Sequence, residues 1–120
     1  MEKAFCCIHS NARDFAKLGQ LILNDGKVGD LQILNSKFID EMRTPTSLSK
    51  GAYGMGIWIN NDAVNKHYYF WGLYGQYIIV IPEKNIVIVR TGTFKDQPTD
   101  EKGRPKQVAF LVNEVVENFK

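Results

Sequence analysis

Hydrophobic positions along this chain recur first at helical spacing, then in alternation, then in unbroken β-branched runs, and finally at helical spacing again. Phe15, Leu18 and Ile22 share one face of a helix that Asn11 can cap, with Asp14 in its first turn and Asn24-Asp25-Gly26 as its stop. A turn and a short extended piece follow through Gly29 to Leu34, and a short second helix is expected near Ser36 to Met42, ended by Pro45. Tyr53, Met55, Ile57 and Ile59 then alternate with Gly54, Gly56, Trp58 and Asn60. That pattern predicts a strand with one apolar face, and Asn60-Asn61-Asp62 turns the chain after it.

The densest signal runs from Tyr68 to Gly92: an aromatic strand, a kink at Gly72 and Gly75, and a Val/Ile-rich hairpin closed by Pro82-Glu83-Lys84-Asn85. Aromatic and β-branched side chains suit a half-buried pleated surface, whereas glycine inside such a run marks a bend or the close approach of a ligand. Phe94 to Lys106 is polar and rich in turn formers, hence a loop, and Pro105 suits the first turn of a helix, where its missing N–H costs nothing. Val108, Leu111, Val112, Val115, Val116 and Phe119 form a continuous stripe, so the last helix is expected to lie across a sheet face. Together these elements predict one α+β domain over residues 1–120. An antiparallel sheet of about three or four main strands carries flanking helices, the C-terminal helix on one face and the first helix elsewhere.

Phe70-Trp71-Gly72-Leu73-Tyr74-Gly75-Gln76-Tyr77 and the following Ile78-Ile79-Val80-Ile81-Pro82-Glu83-Lys84-Asn85 resemble the strand pair that borders the active site in the serine β-lactamase and penicillin-binding-protein superfamily. The resemblance points toward class C β-lactamases and the related esterases and 6-aminohexanoate-oligomer hydrolases. Ala12 to Gly26 is similar to a helix these hydrolases carry midway along the chain, and Tyr53-Gly54-Met55-Gly56-Ile57-Trp58 resembles their Y-G-x-G-x-W strand. It covers roughly residues 4 to 95 and implies a partial β-lactamase-like fold, the C-terminal part only.

Members of the superfamily attack a carbonyl with the serine of an S-x-x-K motif on a buried helix, assisted by that lysine and by the tyrosine of a Y-x-N motif. Both motifs precede the region matched here. The resemblance therefore implies a C-terminal fragment of a serine hydrolase that cleaves an ester or amide through an acyl-serine, with this chain supplying one active-site wall and inactive alone. The superfamily's K-T-G position maps near Phe70-Trp71-Gly72, where an aromatic residue replaces the lysine that would attract a substrate carboxylate, so an uncharged or differently charged small acyl substrate is expected. By the same resemblance, the backbone N–H of Leu73 is an oxyanion donor, and Phe70, Trp71, Gly72, Tyr74 and Gly75 bind substrate. The alternative is a non-catalytic ligand- or peptide-binding module of the same fold, using the Trp71 edge.

Two local patterns imitate the superfamily's motifs. Ser47-Leu48-Ser49-Lys50 spells S-x-x-K, but it sits between Pro45 and Gly51 among turn formers, whereas the motif needs a helix to put serine and lysine on one face. It reads as a solvated connector. Arg90-Thr91-Gly92 imitates K-T-G, yet in register with the hairpin it falls at the end of the following strand.

Composition narrows the classes further. A chain of 120 residues, 44% hydrophobic and 23% charged, is sized for one core, and its net charge of +2 with scattered basic residues argues against nucleic acid. Lys66 to Trp71 has the makings of a base-stacking platform, but aromatic strands more often pack in cores. No apolar run approaches the roughly 20 residues needed to span a bilayer, and Ala4 to Ile8 is shorter than a signal-peptide core of about 7 to 15 residues. Met1 thus reads as an artificial start or the start of a truncated gene, and the resemblance implies that the whole protein is exported. Cys6 and Cys7, adjacent to each other and near His9, are expected as two small buried thiols, since sequence neighbours rarely reach disulfide geometry; no metal or cofactor is expected. Finally, Ile86-Val87-Ile88-Val89 is uncharged and free of proline. In the superfamily an N-terminal strand flanks it, so a homodimer through this sheet edge is expected of the chain alone.

Overall fold

A computed structural model describes residues 6–119. Its helices are α1 (Ala12–Leu23), α2 (Ser36–Met42) and α3 (Lys106–Asn118), and its strands are β1 (Lys27–Val28), β2 (Leu31–Gln32), β3 (Trp58–Asn60), β4 (His67–Trp71), β5 (Tyr77–Ile81) and β6 (Ile86–Arg90). β1 and β2 pair only with each other, while β3 to β6 form an antiparallel sheet in chain order. Each strand of that sheet folds back on its predecessor, so the fold is α+β.

Local chemistry accounts for the element boundaries. The Asn11 side chain accepts the Asp14 N–H at 3.0 Å and so caps α1, and Asn35 caps α2 by accepting the Lys37 N–H at 2.9 Å. Pro82–Lys84 forms one 3-10 turn, after which Asn85, at φ 56, reverses the chain into β6. Asparagine tolerates that left-handed backbone better than most residues.

The sheet is covered on both faces. Ile22 of α1 packs with Tyr68, Val80, Phe70 and Val87, whereas Val108 and Val112 of α3 pack with Tyr69, Tyr77, Ile79 and Ile81. Neighbouring strand residues point to opposite faces, so the two clusters are separated by the sheet itself. All five residues of β5 are buried. α1 sits so close that a Cβ on Gly19 would lie 2.5 Å from Val87 Cγ1 and 3.0 Å from Ile78 Cγ2.

Four expectations need correction. Of the stretch from Tyr53 to Asn60 only Trp58–Asn60 is strand; Gly54 donates to the Ile57 carbonyl at 2.9 Å and Gly56 takes φ +75, so the glycines close a tight turn that bridges Tyr53 to Trp58. Ile57 and Ile59 are buried as expected, but Met55 on that turn is exposed. The α3 stripe ends before Phe119, which lies past the last helical residue and is 74% exposed. Cys6 and Cys7 are bonded to each other rather than buried as thiols, because the segment ahead of α1 runs over the surface and Cys7, at φ 73, is exposed. Ser47–Ser49 is a single 3-10 turn, not irregular loop, yet Lys50 falls beyond it at φ 52, and both Ser47 and Lys50 are exposed. The expectations placed on Met1 and on Ala4 and Phe5 of the Ala4 to Ile8 patch lie outside the described residues. Among the described residues no helix is long and apolar enough to cross a membrane.

The approach of α1 to the sheet yields a test. Alanine in place of a helical glycine ordinarily stabilises by about 1 kcal/mol, but a methyl at position 19 overpacks the contact with Val87 at a cost of about 1–3 kcal/mol. Gly19→Ala is therefore expected to lower the urea midpoint, and a raised midpoint would show that α1 can move off the sheet freely.

Candidate functional site

β4 ends at Trp71 and β5 begins at Tyr77, and these residues pair across the ladder. Between them the Gly72 N–H donates to the Gln76 carbonyl at 2.8 Å and the Gly75 N–H donates to the Gly72 carbonyl at 3.0 Å, which closes Gly72–Gly75 into a four-residue turn. Backbone conformation calls for glycine at the last position, and space favours it at the first. Gly75 has φ +78, and a Cβ on Gly72 would meet Gln76 Oε1 at 2.6 Å. The tip faces solvent, with Leu73 78% and Tyr74 43% exposed.

Three carbonyls of this turn are tied down. Gln97 Nε2 donates to the Leu73 carbonyl at 3.2 Å, the Phe94 N–H to the Tyr74 carbonyl at 2.8 Å, and the Arg90 guanidinium to the Gly75 carbonyl. A turn closed by its first and last residues does not use the N–H groups of its central pair. Among the described residues neither the Leu73 nor the Tyr74 N–H has an internal acceptor.

Side chains at the strand end divide between the faces. Phe70 packs into the α1-side core, whereas Trp71 faces α3, its ring 5.2 Å from that of Trp58. The indole N–H donates to Gln97 Oε1 at 2.8 Å, and the Tyr77 hydroxyl donates to the same oxygen at 3.1 Å. Trp71, Gly72, Leu73, Tyr74 and Gly75 therefore meet at one corner of the sheet, with Phe70 turned to the other face. Gln97 organises that corner from 26 residues beyond Trp71. A lone amide in a polar loop gives a reader of residue patterns nothing to find.

A second polar corner surrounds the start of β4. Arg104 Nε donates to Asp100 Oδ2 at 2.7 Å, and its Nη1 donates to Asn60 Oδ1 at 2.8 Å and to Asp62 Oδ2 at 3.2 Å. His67, 2% exposed, places Nδ1 at 2.7 Å from the Asn65 carbonyl. A carbonyl only accepts, so Nδ1 carries the proton and Nε2 is left as an acceptor. Burial, reinforced by the Arg104 charge, holds the imidazole pKa below its ordinary value. Local patterning reads Phe94 to Lys106 only as loop, since Arg104 finds its partners 42 and 44 residues upstream.

Residues 7–113 match the family model described as Beta-lactamase. The chain belongs to the beta-lactamase family. A Bacillus anthracis protein described as a 6-aminohexanoate-dimer hydrolase shares the fold, with a TM-score of 0.65 and 25% identity over 88% of this chain and 27% of that one. This chain thus spans about a quarter of that protein's length. No curated protein sequence matches. These findings support the relationship read from Tyr53 to Trp58 and Phe70 to Asn85, and at the Gly72–Gly75 turn this beta-lactamase-family chain presents two adjacent backbone donors without an internal acceptor among the described residues.

Burial of neutral His67 predicts how the family chain responds to acid. Its folded pKa lies below the unfolded value of about 6.5, so the unfolded chain takes up the proton first. Stability is then full above about pH 6.5 and is lost as pH falls from there toward the lowered folded value. The urea midpoint should drop between about pH 7.5 and pH 5.5, a range above ordinary carboxylate titration, and the drop should shrink in His67→Gln. A flat wild-type profile over that range would refute the assignment.

Proposed function

We propose that this chain is the C-terminal section of a serine hydrolase that cleaves an ester or amide through an acyl-serine intermediate, and that the Gly72–Gly75 turn forms one wall of its active site. The observation that carries the reading is the wiring of the turn: three carbonyls held from behind, two adjacent N–H groups left free at an exposed tip. When a serine supplied by a segment outside these 120 residues attacks a carbonyl, charge develops on the carbonyl oxygen. A fixed N–H aimed at that oxygen stabilises the tetrahedral intermediate without reorganising. Leu73 is the donor in this reading, with Tyr74 beside it. Leu73 and Tyr74 contact the acyl group, and the half-buried Trp71 ring backs them. The turn itself carries no charged side chain, and Arg90 is engaged on the Gly75 carbonyl. An uncharged acyl group suits such a wall.

The exposed Ser47 and Lys50 do not form a nucleophile pair, so the 120-residue chain should not hydrolyse nitrocefin or p-nitrophenyl esters above the buffer rate. Intact mass should stay unchanged after incubation with a fluorescent penicillin; a stoichiometric adduct lost in Ser47→Ala would overturn the reading. Within a longer chain bearing an upstream S-x-x-K, Leu73→Pro compared with Leu73→Ala tests the donor, because proline suits the second position of such a turn and, while both variants lose the leucine side chain, only proline deletes the N–H. The expected loss is about 10²- to 10³-fold in kcat with a similar melting temperature. An unchanged kcat would remove the Leu73 N–H from the oxyanion role, and a longer chain with no hydrolytic activity at all would favour the non-catalytic binding module.

The same reading bears on assembly. β6 pairs only with β5 among the described residues, and Ile86 to Val89 offers neither charge nor proline along its outer edge. Such an edge is a template for another strand. In the longer protein an upstream strand covers it; in the isolated chain two copies join along it about a two-fold axis. Light scattering after size exclusion should report a dimer, and a monomer at high concentration with fast amide exchange along β6 would contradict this.

A further inference from the structure

A cavity of about 100 Å³ lies between β3, β4 and the first turn of α3, walled by Asn60, His67, Tyr69, Asp100, Arg104 and Val108. It sits at the start of β4. The Gly72–Gly75 turn follows the end of that strand, four residues or about 13 Å away, so the cavity is independent of the acyl-transfer reading. Two of its walls end in polar atoms without a partner among the described residues: His67 Nε2 and the Tyr69 hydroxyl, on side chains that are 2% and 1% exposed. Buried polar atoms in native proteins are rarely left unpaired, and each such exception asks for a partner, whether ordered water or a bound group.

The donor set defines what fits. His67 Nε2 accepts only, because the ring proton is held on Nδ1 by the Asn65 carbonyl. An anion would face that lone pair and be repelled. A cation would face Arg104, whose charge, with that of Lys102, is already balanced by Asp62 and Asp100, and would also face the exposed Lys106 on the same wall. The fitting molecule is uncharged and carries a donor and an acceptor side by side. Its volume is far below the roughly 300–1,000 Å³ of a drug-sized site, which leaves room for only a few heavy atoms.

We propose that this cavity binds a small primary amide, its N–H donating to His67 Nε2, its carbonyl accepting from the Tyr69 hydroxyl, and its alkyl end resting on Val108. One ligand thereby satisfies both orphaned atoms, with its donor and its acceptor on different atoms.

Acetamide is the probe. Titrated into the ¹⁵N-histidine-labelled chain near neutral pH, it should produce a saturable shift of the His67 Nε2 resonance, while acetate and methylammonium produce none. Tyr69→Phe removes an unpaired hydroxyl, so the variant should fold as well as the original and bind acetamide about fivefold more weakly. A stronger response to acetate or methylammonium would overturn the proposal, as would equal acetamide affinity in Tyr69→Phe. So would the absence of a saturable shift, which would mean that the cavity holds ordered water only. Backbone spectra of the variant that match the wild type keep a folding defect from being mistaken for lost binding.

Discussion

The whole arrangement depends on burying β5 from both sides. Tyr77, Ile79 and Ile81 pack on the α3 side while Ile78 and Val80 turn to the α1 side, so an unbroken apolar run is stable only if both helices are in place. Burying five such side chains is worth roughly 10 kcal/mol, the same size as the net stability of a typical domain. Neither helix is an ornament. Gly19 shows how tight one of the two contacts is, since the helix backbone there approaches within a methyl group's reach of Val87 and Ile78.

A strand fixed this firmly determines what its neighbours can present. The register that pairs Trp71 with Tyr77 sets where the chain must reverse, and the side chains of Arg90 and Gln97 then take hold of the turn's carbonyls. Preorganised donors are valuable in acyl transfer because the cost of fixing them is met during folding rather than at the moment of reaction. Here β5 and β6 hold the turn on one side, and the 91–105 loop holds it on the other. The exposed Leu73 and Tyr74 side chains are the part left variable.

Much of this was legible along the chain, because the signals were local. Asn11 with Asp14, the bounds of α2, the Pro82-to-Asn85 reversal and the glycines at 72 and 75 all act within a few residues of themselves. The Tyr53 to Asn60 stretch misled for the same reason. Its alternating glycines match strand periodicity, but Gly56 uses its freedom to take positive φ, and a turn results. Gln97 and Arg104 were illegible because each is defined by partners far away in sequence, and a polar loop has no periodicity to betray such a role. The bond between Cys6 and Cys7 went unanticipated because burial, not chain path, was the expected fate of small thiols.

β4 shows how one strand can carry two unlike environments. His67, Tyr69 and Trp71 all face α3, yet His67 Nε2 and the Tyr69 hydroxyl find no partner among the described residues while the Trp71 indole is matched by Gln97. The difference lies in what covers each residue. Loop 91–105 lays Gln97 across the Trp71 end, and by the time it reaches the His67 end its polar groups are committed to one another in the Arg104, Asp100 and Asp62 network. Arg104 also takes the Asn60 oxygen, and among the described residues no donor pairs with His67 Nε2. A polar network that satisfies itself beside an unsatisfied histidine leaves space for a guest that completes it.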